Sequence, residues 1–104
     1  MKKILFVTLL IPSFVQAGFY TGNELKEQCN KPTGSYNRGI CHGYVSAVID
    51  IGDNILFCLP SKVTLGQMSD LVIKYMNENP AQLHKSADSI TVSAISIDFP
   101  CKKR

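Results

Sequence analysis

The sequence predicts an all-α domain, a compact bundle of about four helices stapled by two disulfides. Apolar residues recur at intervals of three and four along four segments, which is the period of one face of an α-helix. Thr21 is followed three residues later by Glu24, and Thr64 by Gln67, which is the capping-box pattern that begins a helix. The chain also contains four cysteines in 104 residues, and disulfides would reinforce the limited core of so small a domain.

The first 17 residues form a predicted leader rather than part of this domain. Lys2 and Lys3 precede a short apolar run, and the run is followed by a small-residue cleavage pattern that ends at Ala17. This pattern is typical of a secretory signal peptide cleaved after Ala17. The alternative, a membrane anchor, would need about 20 apolar residues. We therefore expect an exported, periplasmic domain of residues 18–104, in a compartment that permits disulfides.

The charge of the expected domain argues against nucleic-acid binding. The whole chain has 11 Lys+Arg and 8 Asp+Glu, a net charge of +3. Lys2 and Lys3 leave with the leader, which lowers the charge to +1. Three more basic residues form the tail 102–104, so residues 18–101 carry −2. A basic stripe for phosphates is therefore not expected.

The first predicted helix runs from Thr21 to about Cys29 and ends before the loop 30–35, which contains proline and glycine. The second runs from about Tyr36 to Leu56 and is followed by a break at Pro60. Its predicted apolar face consists of Cys41, Tyr44, Val45, Val48, Ile49, Gly52 and Leu56. The polar residues expected off that face are His42, Ser46, Asp50 and Asp53.

The third predicted helix begins at Thr64 and ends at residues 77–79. The fourth begins with Asn79 as N-cap and Pro80 in the first helical position. Its expected apolar positions are Leu83, Ala87, Ile90, Ala94 and Ile97. The alternation around residues 90–94 would also suit a strand. Helix is favoured because the start is strong and no convincing partner strand exists.

The four cysteines allow three pairings, and their spacing alone does not choose between them. Cys29 ends the first helix and Cys41 lies early in the second, so a short loop brings them together. If successive helices run antiparallel from the second to the fourth, Cys58 and Cys101 follow helix ends at the same pole. The helix layout thus favours the pairs Cys29–Cys41 and Cys58–Cys101.

No catalytic or metal site is predicted, and no cofactor is expected. The paired spacing of a zinc site is absent, although His42 and His84 are potential ligands. His42 is adjacent to Cys41, but neighbours on a helix point about 100° apart, which is unsuitable for a thiol and its base. Asp50 and Asp53 share a helix face, where a solvated face is the simpler interpretation. Composition and spacing favour a non-enzyme that acts by binding.

An ordered set of residues extends across the expected domain. It comprises Phe19, Thr21-Gly22-Asn23, Leu25, Cys29, Cys41, Gly43-Tyr44-Val45, Val48, Asp50, Phe57-Cys58, Pro60, Val63-Thr64, Gln67, Tyr75, Asn79-Pro80, Leu83, Ala87 and Phe99-Pro100-Cys101. With its four cysteines behind a signal peptide, this set resembles the Rap/Tai family of type VI secretion amidase immunity proteins. The resemblance implies a small, helical, disulfide-bonded periplasmic antitoxin, often a homodimer, that binds a cognate peptidoglycan amidase and occludes its active-site cleft. Among the matching residues, Gly43 is expected to allow close approach of another helix.

The candidate toxin-binding residues are exposed polar positions near the turns. They are Asp53 and Asn54 after the second helix and Glu78 near the third turn. A negative or amide-rich loop can hydrogen-bond inside a cleft, while apolar anchors nearby provide most of the binding energy. The alternative is that these are ordinary turn residues. The rival function is a small periplasmic stress or chaperone-like helical protein without a toxin partner.

Overall fold

Four α-helices and one short 3-10 helix account for most of the residues that the computed structural model describes, which are residues 19–102. The α-helices are α1 (Gly22–Cys29), α2 (Tyr36–Gly52), α3 (Leu65–Glu78) and α4 (Ala87–Asp98), and the 3-10 helix is Pro80–Gln82. Each α-helix contacts the other three. The predicted all-α class is confirmed, and the predicted leader, residues 1–17, lies outside the described residues.

Both predicted capping boxes are present and fix the starts of α1 and α3. The Thr21 hydroxyl accepts a hydrogen bond from the Glu24 amide (3.2 Å), and the Thr21 amide donates to the Glu24 carboxylate (2.9 Å). The Thr64 hydroxyl accepts from the Gln67 amide (3.1 Å), and the Thr64 amide donates to the Gln67 side chain (2.8 Å). Reciprocal bonds of this kind satisfy backbone donors that the first turn leaves free.

The predicted end of α2 at Leu56 is wrong, because the helix ends at Gly52. Asp53 has extended backbone geometry, and Asn54 has a φ of +69°. Asp and Asn favour turns because their side chains bond to nearby backbone, and Asn tolerates positive φ. Ending the helix here turns Phe57 into the core, where it is fully buried.

The predicted start of the fourth helix at Asn79 is also wrong. Residues 80–82 form the 3-10 helix, and α4 begins only at Ala87. The Asn79 side chain donates to the Tyr75 carbonyl (2.9 Å), so it bonds to the end of α3, and Asn79 with Pro80 begins the 3-10 helix rather than α4. Ile97, predicted on the buried face, is 65% exposed. The strand alternative for residues 90–94 is excluded, since they lie within α4.

The connection between α3 and α4 is bonded to the start of α1 rather than continuing as helix. The Gly22 amide donates to the Lys85 carbonyl (2.8 Å), and the Asn23 amide donates to the Leu83 carbonyl (2.9 Å). The Ala87 amide donates to the Tyr20 carbonyl (2.8 Å). These long-range bonds use backbone groups that a continuous fourth helix would have needed for itself.

The core is formed by side chains from all four helices and from the segments between them. Its buried apolar members are Leu25, Cys29, Cys41, Val45, Phe57, Met68, Val72, Met76, Leu83, Ala87, Ile90, Ala94 and Ile95. Close approach was expected at Gly43, but Gly43 is exposed and a Cβ there would meet nothing within 4 Å. Within residues 19–102, no helix is both long enough and apolar enough to span a bilayer.

Both predicted disulfides are confirmed. Cys29 and Cys41 join the end of α1 to the first half of α2, with 4.9 Å between their Cα atoms. Cys58 and Cys101 join the segments that follow α2 and α4, with 4.8 Å between their Cα atoms. Beside the second disulfide, the Cys58 amide donates to the Phe99 carbonyl (2.9 Å). The segments that follow α2 and α4 therefore meet at one pole of the bundle.

Candidate binding surface

Three large aliphatic side chains are exposed where α2 ends. Ile51 is 75% exposed, Ile55 is 74% exposed and Leu56 is 51% exposed. Single exposed apolar residues are ordinary, but a concentration of them marks surfaces that bind other molecules. We name residues 51–56 the apolar turn. It contains two of the three predicted toxin-binding residues, Asp53 and Asn54.

The backbone of the apolar turn is closed by its own hydrogen bonds. The Asn54 amide donates to the Phe57 carbonyl (2.7 Å). The amides of Ile55 and Leu56 both donate to the Gly52 carbonyl, at 2.9 and 2.7 Å. Because these bonds and the buried ring of Phe57 hold the chain, the turn presents its exposed side chains from a defined backbone.

Asp53 shapes this turn through its side chain. Its Oδ1 accepts a hydrogen bond from the Leu59 amide (2.9 Å), and the residue is half-buried. A carboxylate in this position satisfies a backbone donor in the chain that returns from the turn. Asn54, in contrast, is exposed, and its amide group offers both donors and acceptors to a partner.

Glu78, the third predicted toxin-binding residue, is not part of the apolar turn. It is the last residue of α3, and its carboxylate forms an ion pair with Lys74 Nζ at 3.0 Å. Leu65, at the start of α3, lines a groove together with Asp50 of α2. Glu78 is 13 residues farther along α3, about 20 Å at the rise of an α-helix. The structure therefore brings together only two of the three predicted residues.

A shallow groove of about 180 Å³ lies beside the apolar turn, between α2, the segment after the turn and the start of α3. Its apolar lining consists of Ile49, Leu59, Val63, Leu65 and Met68. Asp50 contributes an exposed carboxylate to its lining. The groove is lined by residues on either side of the turn in the chain, Asp50 before it and Leu59 after it.

The last turn of α2 contributes negative charge beside the apolar turn. It contains Asp50 and no basic residue. The carbonyl groups at a helix C-terminus add a partial negative charge. Lys102 follows Cys101, the disulfide partner of Cys58, so a cation is also attached near this end of the bundle. The end of α2 itself suits a partner that presents hydrogen-bond donors or cations.

His42 forms a link between α2 and α3 that the sequence analysis missed. Its Nδ1 lies 2.8 Å from the Ser69 hydroxyl, and the histidine is half-buried rather than outside the packed face. A serine–histidine pair can be catalytic, but Ser69 is fully buried, so a substrate has no access to its oxygen. This pair holds two helices together. Among the described residues, no three His, Cys, Asp or Glu side chains are grouped to hold a metal ion.

The exposure of the aliphatic residues of the apolar turn was not predicted from the sequence. Leu56 was expected on the buried face of α2, because hydrophobic periodicity does not say where a helix ends. The available signal was the pair Asp53-Asn54 inside the predicted helix, since both residues favour turns. Ending the helix at that pair would have moved Ile55 and Leu56 out of the helical pattern.

Comparison with known proteins identifies the family of the chain. Comparison with curated proteins finds no match to the chain. A family model described as Rap1a immunity proteins matches residues 21–101. This range includes all four cysteines, the four α-helices and the whole of the apolar turn. The chain therefore belongs to the Rap1a immunity protein family.

Proposed function

We propose that the protein is a periplasmic immunity protein that binds a peptidoglycan amidase effector of a type VI secretion system and occludes its active-site cleft. Membership of the Rap1a immunity protein family is the observation that carries the proposal. The periplasmic location is supported by the leader pattern at residues 1–17 and by two disulfides, which persist in oxidising compartments.

The apolar turn is the proposed contact surface. A large aliphatic side chain contributes roughly 1.5–3 kcal/mol when it is fully buried, and three of them are exposed here. Asn54 and Asp50 supply polar groups at the edge, where they favour one orientation of the partner. Because hydrogen bonds within the turn already fix its backbone, little conformational entropy is lost on binding.

The chemistry of the partner's cleft follows from the surface that would enter it. Ile55 and Leu56 require an apolar depression, while Asn54 and the negative end of α2 require donors or cations at its rim. An amidase cleft that receives such a plug has its substrate path blocked, and the immunity protein need perform no chemical step. One binding surface inhibits one enzyme molecule, so inhibition is stoichiometric.

The first test is recovery of the partner. A tag inserted after Ala17 would survive removal of the leader, and the oxidised protein would be used to capture proteins from lysates of the source bacterium and its relatives. We expect one dominant partner that cleaves peptidoglycan amide bonds and is inhibited at a one-to-one ratio. Capture of many unrelated proteins, only after acid treatment, would contradict the proposal and support the chaperone-like alternative.

The second test asks whether the apolar turn is the surface used. The double variant Ile55→Ala/Leu56→Ala should weaken inhibition of the captured amidase by about 30-fold or more, as expected when central aliphatic anchors are truncated. Ile97→Ala is the matched control, because Ile97 is an exposed aliphatic residue on α4. Weakening by the control and not by the double variant would move the interface to the α3–α4 face.

A further inference from the structure

The two disulfides differ in their exposure to solvent. Cys29 is 1% exposed and Cys41 is 0% exposed, so the first disulfide is within the core. Cys58 is half-buried and Cys101 is exposed. Thiol–disulfide exchange begins when a thiolate attacks one sulfur, and its rate depends on access to that sulfur. A reductant therefore reaches Cys58–Cys101 before it reaches Cys29–Cys41.

The exposed disulfide is attached to the base of the apolar turn. Cys58 directly follows Phe57, the buried residue whose carbonyl closes the turn through Asn54. Cys101 lies beyond α4, 43 residues farther along the chain. The Cys58 amide also donates to the Phe99 carbonyl (2.9 Å), so one hydrogen bond and one covalent bond join the two segments. Reduction would leave the hydrogen bond without its covalent support.

We propose that Cys58–Cys101 is a redox-sensitive lock on the apolar turn, opened by a dithiol reductant of the thiol–disulfide oxidoreductase class. This regulation rests on the proposed function, because the apolar turn is the proposed toxin-binding surface. With the disulfide formed, Cys58 is tethered, its neighbour Phe57 stays seated in the core, and the turn keeps the shape that its own hydrogen bonds give it. With the disulfide reduced, Phe57 loses that support, the turn is looser, and the partner must order it on binding, which weakens the complex.

The exchange balances with the dithiol as the only co-reactant. One thiolate of the reductant attacks the sulfur of Cys101 and forms a mixed disulfide, while Cys58 leaves as a thiolate. Cys58 then takes up the proton that the attacking thiol released. The second thiol of the reductant displaces Cys101, so both cysteines become thiols and the reductant becomes a disulfide.

The buried disulfide lies outside the segment that Cys58–Cys101 tethers. Cys29–Cys41 links α1 to α2 and is within the core. Phe57 is next to Cys58, so loss of the tether acts first on the ring that lies against Gly52 and supports the turn. We therefore expect reduction to loosen the turn and the chain after α4 before the buried disulfide is reached.

The first experiment needs neither a variant nor a partner. The oxidised full-length protein would be treated with limiting dithiothreitol, alkylated with iodoacetamide at intervals and mapped by peptide mass. We expect labels on Cys58 and Cys101 before Cys29 and Cys41, with faster hydrogen exchange at residues 53–59 in the partly reduced protein. Labelling of both pairs at the same rate, or unchanged exchange in the turn, would overturn the proposal.

The second experiment measures inhibition of the captured amidase. The wild-type protein after limiting reduction, and the variant Cys58→Ser/Cys101→Ser, should each inhibit about tenfold more weakly than the oxidised protein. Equal inhibition by all three would overturn the lock and leave the immunity function standing. If the oxidised protein itself failed to inhibit, the immunity function would be overturned. The order of cysteine labelling needs no amidase, so it would still show whether Cys58–Cys101 is the disulfide reduced first.

Discussion

The ring of Phe57 lies against Gly52. A Cβ placed on Gly52 would lie 3.0 Å from two ring carbons of Phe57, tighter than most real Cβ contacts, so the ring would have to move by a few tenths of an ångström. The same Cβ would stand 3.4 Å from a methyl carbon of Leu56. The last residue of α2 therefore has to be small for the chain to turn back and bury Phe57.

Gly52→Ala should destabilise the protein. An extra methyl group in a packed site costs roughly 1–3 kcal/mol of unfolding free energy, because the ring must move. Urea denaturation of the oxidised protein, followed by circular dichroism, measures this change. Gly43→Ala is the control: Gly43 is within α2 and has open space around it, so we expect stabilisation of about 0.5–1 kcal/mol. Equal stability of the two variants would contradict the contact.

Asp53→Ala should destabilise the turn by removing the acceptor for the Leu59 amide. An unsatisfied half-buried amide costs about 1–2 kcal/mol, whereas Asp53→Asn keeps an oxygen at the same position and should cost less. The same denaturation experiment compares the two variants. If both variants lose inhibition of the amidase equally while their stability is unchanged, the carboxylate contacts the toxin directly instead of shaping the turn.

Ser69→Ala should weaken the association of α2 with α3. The substitution removes the hydroxyl 2.8 Å from His42 Nδ1 and leaves a half-buried polar atom without that partner. We expect a loss of about 1–2 kcal/mol in unfolding free energy. Ser46→Ala is the matched control, because its hydroxyl bonds only within its own helix, and its effect should stay within about 0.5 kcal/mol. Similar losses in both variants would argue against the interhelical bond.

Tyr44 should make the protein less stable at high pH. Burial raises the pKa of Tyr44 above its ordinary value of 10.0, and the carboxylate of Asp88 raises it further. The folded protein therefore holds the phenol proton more tightly than the unfolded chain does. The contribution of Tyr44 to the free energy of unfolding is fully present below about pH 10. It is lost as the pH rises through the higher pKa that Tyr44 has in the folded protein.

Melting temperatures between pH 8 and pH 11 test this dependence on Tyr44. The wild-type protein should lose stability above pH 10, and Tyr44→Phe should lose less over the same interval. Tyr36→Phe is the control because Tyr36 is an exposed tyrosine, and it should follow the wild-type curve. Identical curves for wild type and Tyr44→Phe would exclude Tyr44 as the group responsible.

Local sequence signals predicted the helix starts and the disulfides well. The capping boxes at Thr21 and Thr64 need only four neighbouring residues, so tertiary contacts do not alter them. The disulfide pairs followed from helix order and direction, which short connections largely determine. The capping boxes therefore carry over as local patterns, whereas Cys58–Cys101 spans 43 residues and carries over because the helix directions were predicted correctly.

The element boundaries that failed depend on residues far apart. The start of α4 at Ala87 is set by backbone bonds from residues 83–87 to the chain around the beginning of α1, 60 or more residues away. The end of α2 depends on the burial of Phe57. Asp53 and Asn54 were expected near a turn, but the predicted helix ran past them to Leu56, and the structure places both after its end. The exposed Ile55 and Leu56 were not expected, since periodicity cannot report which apolar residues the fold leaves uncovered.

Different residues of the apolar turn determine its shape and form its exposed surface, and this separation affects how its binding specificity can change. Backbone hydrogen bonds, Gly52 and Phe57 determine its shape, while Ile51, Ile55 and Leu56 project into solvent. Substitution of exposed side chains usually alters stability by less than about 0.5 kcal/mol. Under the proposed function, a lineage can therefore retarget this surface to a new toxin by single substitutions at three positions, with the scaffold beneath them unchanged.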